Sequence, residues 1–408
     1  MKIIQVPRRF VASEWGGTET TILQTSRALR ADGHDVQIFT SLALSQNRFE
    51  SIQDVPVRRY SYLYPFWGLS AADKLDMDKK GGNLLSLSLL RALVREPGVD
   101  LLHAHTGKRV GGIVRTAARL RKIPYVVTLH GGYFDVPKGE MDQMLAPIQN
   151  RFEWGKLFGA LLGSRRVLED ASALICVGGN EYEAARARLP NQRVELMPNG
   201  VDCAFFSTGD GAAFRAAHNI SSDASVVLCV SRIDYQKNQI GLIEALSRIH
   251  QQHPVHLVLI GPVTVESYHQ KLTRRIQELG LQSQVTLIPG LGPDDPQLRG
   301  AFHAANVFCL PSLHEPFGIV ILEAWAAGLP VVASRVGGIP SFTVDEEDIL
   351  HTEPEDNDHL ASQLLTVLQQ PELAGRLATA GQTKARREYD WSIISEKMLS
   401  LYSDIAKS

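Results

Sequence analysis

Short apolar runs alternate along the chain with segments in which apolar side chains recur every three or four positions. In the first 200 residues the runs at 2–6, 35–39, 99–104, 125–129, 173–177 and 194–197 read as strands. The segments between them, 20–31, 84–94, 111–120, 151–170 and 180–188, read as helices. A strand followed by a helix and another strand is a crossover that leaves the two strands parallel, so this half predicts a doubly wound sheet with helices on both faces. Residues 41–82 break the rhythm and read as loops and irregular structure. A polar stretch rich in Gly and Ser runs to residue 225, after which the alternation starts again. Strands are expected at 226–230, 256–260, 285–288, 307–310 and 331–333, with helices at 239–250, 265–279, 296–305, 317–327 and 358–369. The fold class is therefore α/β, with two Rossmann-like doubly wound parallel-sheet domains. The expected domains are 1–205 and 206–390, facing across a cleft that the carboxyl ends of both sets of strands line.

Composition leaves that picture intact. A 408-residue chain with 44% hydrophobic and 21% charged residues supports two or three globular domains. The start, MKIIQVPRRF, lacks the apolar core of a signal peptide, and no stretch reaches the roughly 18 apolar residues of a membrane span, so a cytoplasmic protein is expected. The four cysteines, Cys176, Cys203, Cys229 and Cys309, show neither disulfide-framework nor zinc spacing and read as small buried residues. Charge adds an asymmetry. Residues 1–200 hold 27 Lys and Arg against 20 Asp and Glu, a net +7, whereas the remainder holds 15 against 24, a net −9. The clusters Lys108-Arg109, 115–122 and Arg165-Arg166 read first as solvated helix faces. They also suit an anionic acceptor, or a peripheral contact with lipid headgroups at the inner face of a membrane.

The chemistry concentrates in residues 312–340, SLHEPFGIVILEAWAAGLPVVASRVGGIP. Pro316 places the helix start near Phe317 or Gly318, and Gly328 with Pro330 ends it. A helix start offers unpaired amides to a phosphate, and Gly318 allows close backbone approach. Glu315 before that start and Glu323 inside it are repulsive to phosphate unless they accept hydrogen bonds from hydroxyls. A ligand with both phosphates and vicinal diols, a nucleoside diphosphate sugar, fits both demands. The bland alternative is a loop charge and a helix-surface charge. Arg232 and Lys237, in the loop after the first strand of the second series, suit a diphosphate without a metal ion. Gly16 and Gly17, at the start of the first helix, permit a phosphate to approach. Neither G-x-G-x-x-G nor G-x-x-x-x-G-K-[ST] occurs, which removes the main support for dinucleotide oxidoreductase or P-loop chemistry. His130, at a strand's carboxyl edge, reads equally as a sugar contact or a structural residue. His103 and His105 read as structural, and Asp76-Met77-Asp78 as a solvated turn, so no metal or other cofactor is expected.

These residues resemble glycosyltransferase family 4, retaining enzymes of the GT-B architecture that use nucleotide sugars. The resemblance runs over nearly the whole chain. It rests on GGTE (16–19), GHDV (33–36), DLLHAH (100–105), TLHGG (128–132), PNGVD (198–202), VSRIDYQKN (230–238), LIGP (259–262), HEPFGIVILEAWAAGLPVVAS (314–334) and the terminal EYDWSIISEKMLSLY (388–402). It implies that Arg232 and Lys237 bind the donor diphosphate, Glu323 the ribose and Glu315 the donor sugar. The amides of Phe317, Gly318, Ile319 and Val320 would touch sugar or phosphate, Gly16 and Gly17 would meet the phosphates, and His130 would lie near the transferred sugar. Arg232, Lys237, Glu315 and His130 form the implied catalytic set. The resemblance also implies that the last helix, 391–408, packs on the first domain. The chain departs from the pattern at Val177-Gly178-Gly179-Asn180, where relatives often carry a serine. The implied activity is transfer of a hexose-type sugar, from UDP-sugar before other nucleotides, to the hydroxyl of a glycan, a lipid-linked or a small-molecule acceptor in bacterial polysaccharide or glycoconjugate synthesis. A nucleotide-sugar 2-epimerase of the same architecture and a non-catalytic sugar-nucleotide sensor are the alternatives, and nucleic acid is not an expected partner.

Overall fold

The computed structural model describes residues 1–12, 15–131, 133, 134, 148, 151–292 and 295–407. Gly132, which belongs to the TLHGG motif above, lies outside them. The chain divides into two compact units, residues 1–199 with 391–408, and residues 200–390.

In unit 1 the described residues form an eight-stranded sheet from β1 (Lys2–Val6), β2 (Asp35–Ser41), β3 (Phe49–Ile52), β4 (Val55–Tyr60), β5 (Leu101–Ala104), β6 (Tyr125–Leu129), β7 (Ala173–Cys176) and β8 (Val194–Leu196). Their order is β3-β4-β2-β1-β5-β6-β7-β8. Every pair is parallel except β3 with β4. The order reverses between β1 and β5. The helix Trp391–Lys407 covers part of one sheet face, where Trp391, Ile394, Met398, Leu401, Tyr402 and Ile405 pack on Ile3, Leu101, Val126 and Ile175.

Unit 2 is an all-parallel sheet of β9 (Ser225–Val230), β10 (Val255–Ile260), β11 (Val285–Ile288), β12 (Val307–Leu310), β13 (Val331–Ser334) and β14 (Leu350–Thr352), in the order β11-β10-β9-β12-β13-β14. This is the order of a dinucleotide-type doubly wound sheet, with its switch point between β9 and β12. Trp325 and Phe308 lie fully buried in its core. No helix among the described residues is long and apolar enough to cross a membrane.

Several expectations need correction. Residues 41–82 hold β3, β4 and the helix Ala71–Lys80. Strand β4, VPVRRY, escaped because its inward row ends in an arginine. Arg59 is buried and donates to the Phe10 carbonyl at 2.6 Å, beside an ion pair with Glu50. Ser70 and Asp73 form a capping box at the start of Ala71–Lys80, so Asp76-Met77-Asp78 is helical and not a solvated turn. Asp78 is buried and accepts hydrogen bonds from the Tyr62 and Tyr64 hydroxyls at 2.6 and 2.8 Å. Of the helix expected at 151–170 only Lys156–Leu161 forms, and the chain turns at Gly163 with φ +62°. Residues 200–205 belong to unit 2: the Val201 amide donates to the Tyr389 carbonyl at 2.8 Å, and Cys203 and Phe206 join that unit's core. Strand β14 and the helices Cys203–Phe206, Gly211–Ala217 and Pro371–Lys384 were not expected.

Two members of the basic clusters are also reassigned. Arg109 is buried against Glu153 and the Asn83 carbonyl, and Arg115 is buried with its Nε donating to Asp170 at 2.7 Å. These two are internal struts, not a solvated or lipid-facing stripe.

Candidate functional site

In a doubly wound sheet the loops that leave adjacent strands at the switch point diverge, and the opening between them is where ligands bind. In unit 2 those loops are 231–238, after β9, and 311–318, after β12. The first is shaped by Asp234, whose Oδ1 accepts the amides of Gln236 and Lys237 at 3.0 and 3.2 Å and so caps the short 3₁₀ turn Tyr235–Lys237. Asn238 then takes a left-handed conformation, φ 52°, and its Oδ1 caps the helix Gln239–Ile249 through the Gly241 amide at 3.2 Å. The Leu313 amide donates to the Gln236 carbonyl at 2.7 Å and ties the two loops together.

The result is a contact between residues 78 apart in sequence: Lys237 Nζ donates to Glu315 Oε2 at 2.5 Å. Both side chains are only about a tenth exposed, 11% and 10%, so the charges compensate each other out of bulk water. Arg232, at 51% exposure, sits at the rim with Nη2 at 3.3 Å from Asp234 Oδ2 and 3.1 Å from Gln236 Oε1. The remaining guanidinium edge is open to an anion.

Glu315 is held from behind by Gly337 and Gly338. The Gly338 amide donates to the Glu315 carbonyl at 2.8 Å. A Cβ at Gly337 would run into the Glu315 carbonyl and one at Gly338 into the Pro316 carbonyl, and Gly337 has φ +54°. The Gly-Gly pair is thus required by backbone approach. Gly318, φ +101°, opens the helix Ile319–Ala326, which starts two residues later than the earliest expected start. Phe317 is buried with its ring 4.6 Å from that of Phe342, so only its backbone is available to a ligand.

Glu323 lies one turn into this helix, four residues after Ile319 and hence on the face of the helix start. It is half-buried in a helix whose other residues are all apolar, and its carboxylate has no hydrogen-bond or ion-pair partner among the described residues. Burial pushes its pKa up to about 7. An unpartnered carboxylate in such surroundings is a standing demand for hydrogen-bond donors.

In unit 1 the helix Gly17–Ala31 begins at the switch point with Gly16 as its extended N-cap and no side-chain cap. Its first-turn Glu19 is buried 3.9 Å from Arg9, and burial raises its carboxyl pKa against the pull of that arginine. His130 follows β6. Its Nε2 shares a 2.9 Å hydrogen bond with His105 Nδ1, and burial lowers its pKa to about 4, so the ring is neutral at pH 7. The loop that carries it is anchored by Glu181, which accepts the amides of Gly131 and Tyr133 at 2.9 and 3.0 Å. Glu181, Asp234 and Gln5 escaped the sequence reading. Asp234 had a legible signal as an Asp three residues before Lys237, whereas Glu181 is an ordinary first-turn acid until its distant partners are known.

Among the described residues no group of three or more His, Cys, Asp or Glu side chains converges as a metal site. His103 is spoken for by Tyr402 and Thr128, at 2.5 and 2.7 Å, and the four cysteines are buried and free.

The family model described as Glycosyl transferases group 1 matches residues 210–384, and that described as Glycosyl transferase 4-like domain matches 16–200. The D-inositol 3-phosphate glycosyltransferase of Mycolicibacterium paratuberculosis is 28% identical over 406 residues, covering 95% of this chain and 85% of that one. The protein of the same name in Mycolicibacterium gilvum is 31% identical over 337 residues, covering 80% and 71%. Anabaena HepE, solved in complex with UDP, matches the fold with a TM-score of 0.72 at 20% identity, covering 99% of this chain and all of that one.

Proposed function

The chain belongs to glycosyltransferase family 4, and from that premise we propose that it moves a hexose-type sugar from a UDP-sugar to an acceptor hydroxyl, with retention and without a metal ion. The observation that carries the reading is the unit 2 switch point. There a Lys237–Glu315 pair and the open edge of Arg232 adjoin a helix whose only acidic residue, Glu323, lacks a partner.

Arg232 and Lys237 then neutralise the diphosphate, assisted by the amides of Gly318, Ile319 and Val320 at the helix start. Glu323 accepts two ribose hydroxyls, which favours its ionised form and offsets its burial. Glu315, with Oε2 on Lys237, keeps Oε1 for a hydroxyl of the donor sugar. In unit 1 the reading gives Gly16 and Gly17 to the phosphates and His130 to the transferred sugar. In the transfer step the bond from the anomeric carbon to the phosphate oxygen breaks as the acceptor oxygen bonds to that carbon on the same face. The acceptor's proton passes to the departing phosphate oxygen, so no protein carboxylate need act as nucleophile. Fixed cations aimed at the leaving group supply the stabilisation.

The names of the inositol phosphate relatives make a phosphorylated polyol the first small acceptor to try. The reading also includes a peripheral contact with an anionic membrane surface. Trp67 and Phe152, with rings 5.9 Å apart, and Leu157 and Leu161, one turn apart on the helix Lys156–Leu161, are exposed apolar residues, and Lys156 and Arg165, close to them in sequence, have no ion pair among the described residues.

The test is turnover of UDP-, GDP- and ADP-sugars with a panel of acceptors, with product anomers read by NMR. Transfer from a UDP-sugar with the donor's anomeric configuration, undiminished by EDTA, is expected. An inverted product, an epimerised donor formed without acceptor, or activity lost to EDTA and restored by manganese would each refute the corresponding part.

A further inference from the structure

The sheet face under the helix Trp391–Lys407 is apolar except for one row. Gln5 on β1, His103 on β5, His105 just after its end and Thr128 on β6 are 0%, 0%, 8% and 3% exposed. These strands are adjacent, with Gln5 in register with His103. The row is joined from above by the hydroxyl of Tyr402, itself fully buried, at 2.5 Å from His103 Nδ1. The His103 and His105 rings lie with centroids 4.2 Å apart, tilted by 34°. Burying five polar side chains where Ile and Val would pack costs stability unless they hydrogen-bond; each of the five does, with only the Gln5 Nε2 left buried without a partner. The one end of the row that reaches the carboxyl edge of the sheet is His130.

The direction of the bonds follows from Gln5. Its Oε1 faces His105 Nε2 at 2.6 Å, so that nitrogen carries the proton and donates. Burial keeps the His105 ring neutral, since its pKa lies well below the usual histidine value. A neutral ring with Nε2–H has a lone pair on Nδ1, which accepts from His130 Nε2–H at 2.9 Å. His130 is neutral too, so its own Nδ1 bears a lone pair, and no described residue donates to it.

We propose that Gln5 is a positioning residue that acts through His105 to hold His130 as the neutral Nε2-protonated tautomer, leaving Nδ1 to accept a hydrogen bond from a substrate hydroxyl. The inference rests on the reading of this chain as a sugar transferase with His130 beside the transferred sugar. A structural histidine needs either tautomer; an acceptor of hydroxyl protons needs this one. Thr128, His103 and Tyr402 brace the row from the far side and keep the His105 ring from turning.

The experiment is ¹⁵N NMR of the full chain labelled at histidine, with His130 assigned by its loss in His130→Gln. The wild type should show His130 Nδ1 unprotonated and Nε2 protonated from pH 6 to 8, and Gln5→Met should convert this to an average of both tautomers. In kinetics Gln5→Met should lower kcat about tenfold and leave UDP affinity, read by calorimetry, unchanged. A wild-type His130 protonated on Nδ1, as an amide turned the other way would give, overturns the proposal and needs no variant to fold. A His130 signature unaltered by Gln5→Met, or an altered one with unchanged kcat, overturns it as well. Those results leave sugar transfer standing, whereas a wild type with the expected tautomer that turns over no nucleotide sugar removes the transfer reading and this proposal with it.

Discussion

Replacing Lys237 by Ala probes the contact on which the unit 2 site is built. The ammonium lies 2.5 Å from Glu315 Oε2, and both side chains are about 90% removed from water. Without it Glu315 keeps its charge in a place shaped for a counter-ion, and removing one partner of a buried pair costs about 3–5 kcal/mol. Some water will enter the space left by the lysine, so about 3 kcal/mol is the expected loss. For a domain the size of unit 2 this lowers Tm by about 6–12 °C. The variant also loses a charged hydrogen bond to the donor diphosphate, about 1.5–3 kcal/mol or roughly 10- to 150-fold in affinity. The two effects separate in the double variant Lys237→Met with Glu315→Gln, in which no buried charge is stranded. Calorimetric unfolding should return most of the lost Tm, while UDP titration should still show weak binding. If Lys237→Ala melts with the wild type and binds UDP equally well, the buried pair is not as drawn and its assignment fails.

Glu323 governs pH dependence. Its folded pKa is raised to about 7 from the ordinary 4.5, so the folded state binds the extra proton. Its contribution to stability is therefore fully present below about pH 4.5 and is lost as pH rises through 7. Glu323→Gln should flatten that part of the stability profile. UDP-glucose, which carries no titrating phosphate near neutrality, should bind about tenfold more weakly at pH 6 than at pH 8, and equally at both to Glu323→Gln. A wild-type isotherm indifferent to pH would contradict an ionised Glu323 in the complex. Gly338→Ala drives a methyl into the Pro316 carbonyl. It should cost about 1–3 kcal/mol in chemical denaturation and weaken donor binding by displacing Glu315, and wild-type values for both would show that loop to be compliant. Anionic vesicles should sediment the protein where zwitterionic ones do not, and Leu157→Gln with Leu161→Gln should abolish this; equal sedimentation of both vesicle types would remove the membrane contact.

The alternation of strands and helices was legible because parallel strands are buried on both faces and read as unbroken apolar runs. It failed where a polar residue was buried by a distant partner. Arg59 concealed β4 because its acceptor, the Phe10 carbonyl, lies 49 residues away. Arg109 and Arg115 passed for a solvated stripe because Glu153 and Asp170 follow 44 and 55 residues later. In each case the residue type set the wrong burial, and only the topology supplied the compensating partner. Asp78 failed in the same way, through two tyrosines 14 and 16 residues upstream.

The site itself was legible as a set of residues but not as a set of environments. Glu315 and Glu323 look equivalent in sequence, two acids on either side of one helix start. The fold separates them through the parallel adjacency of β9 and β12, which brings Lys237 to Glu315 and no cation to Glu323. Glu315 is consequently neutralised and fixed before any ligand arrives, and its geometry is the more rigid of the two. Glu323 has only desolvation, so its charge is the one that a ligand can restore. A hydroxyl-bearing ligand therefore gains the full contact from the ionised Glu323 above pH 7 and loses it as pH falls through 7. The pH response of donor binding then reports on a single carboxyl even though the site holds two.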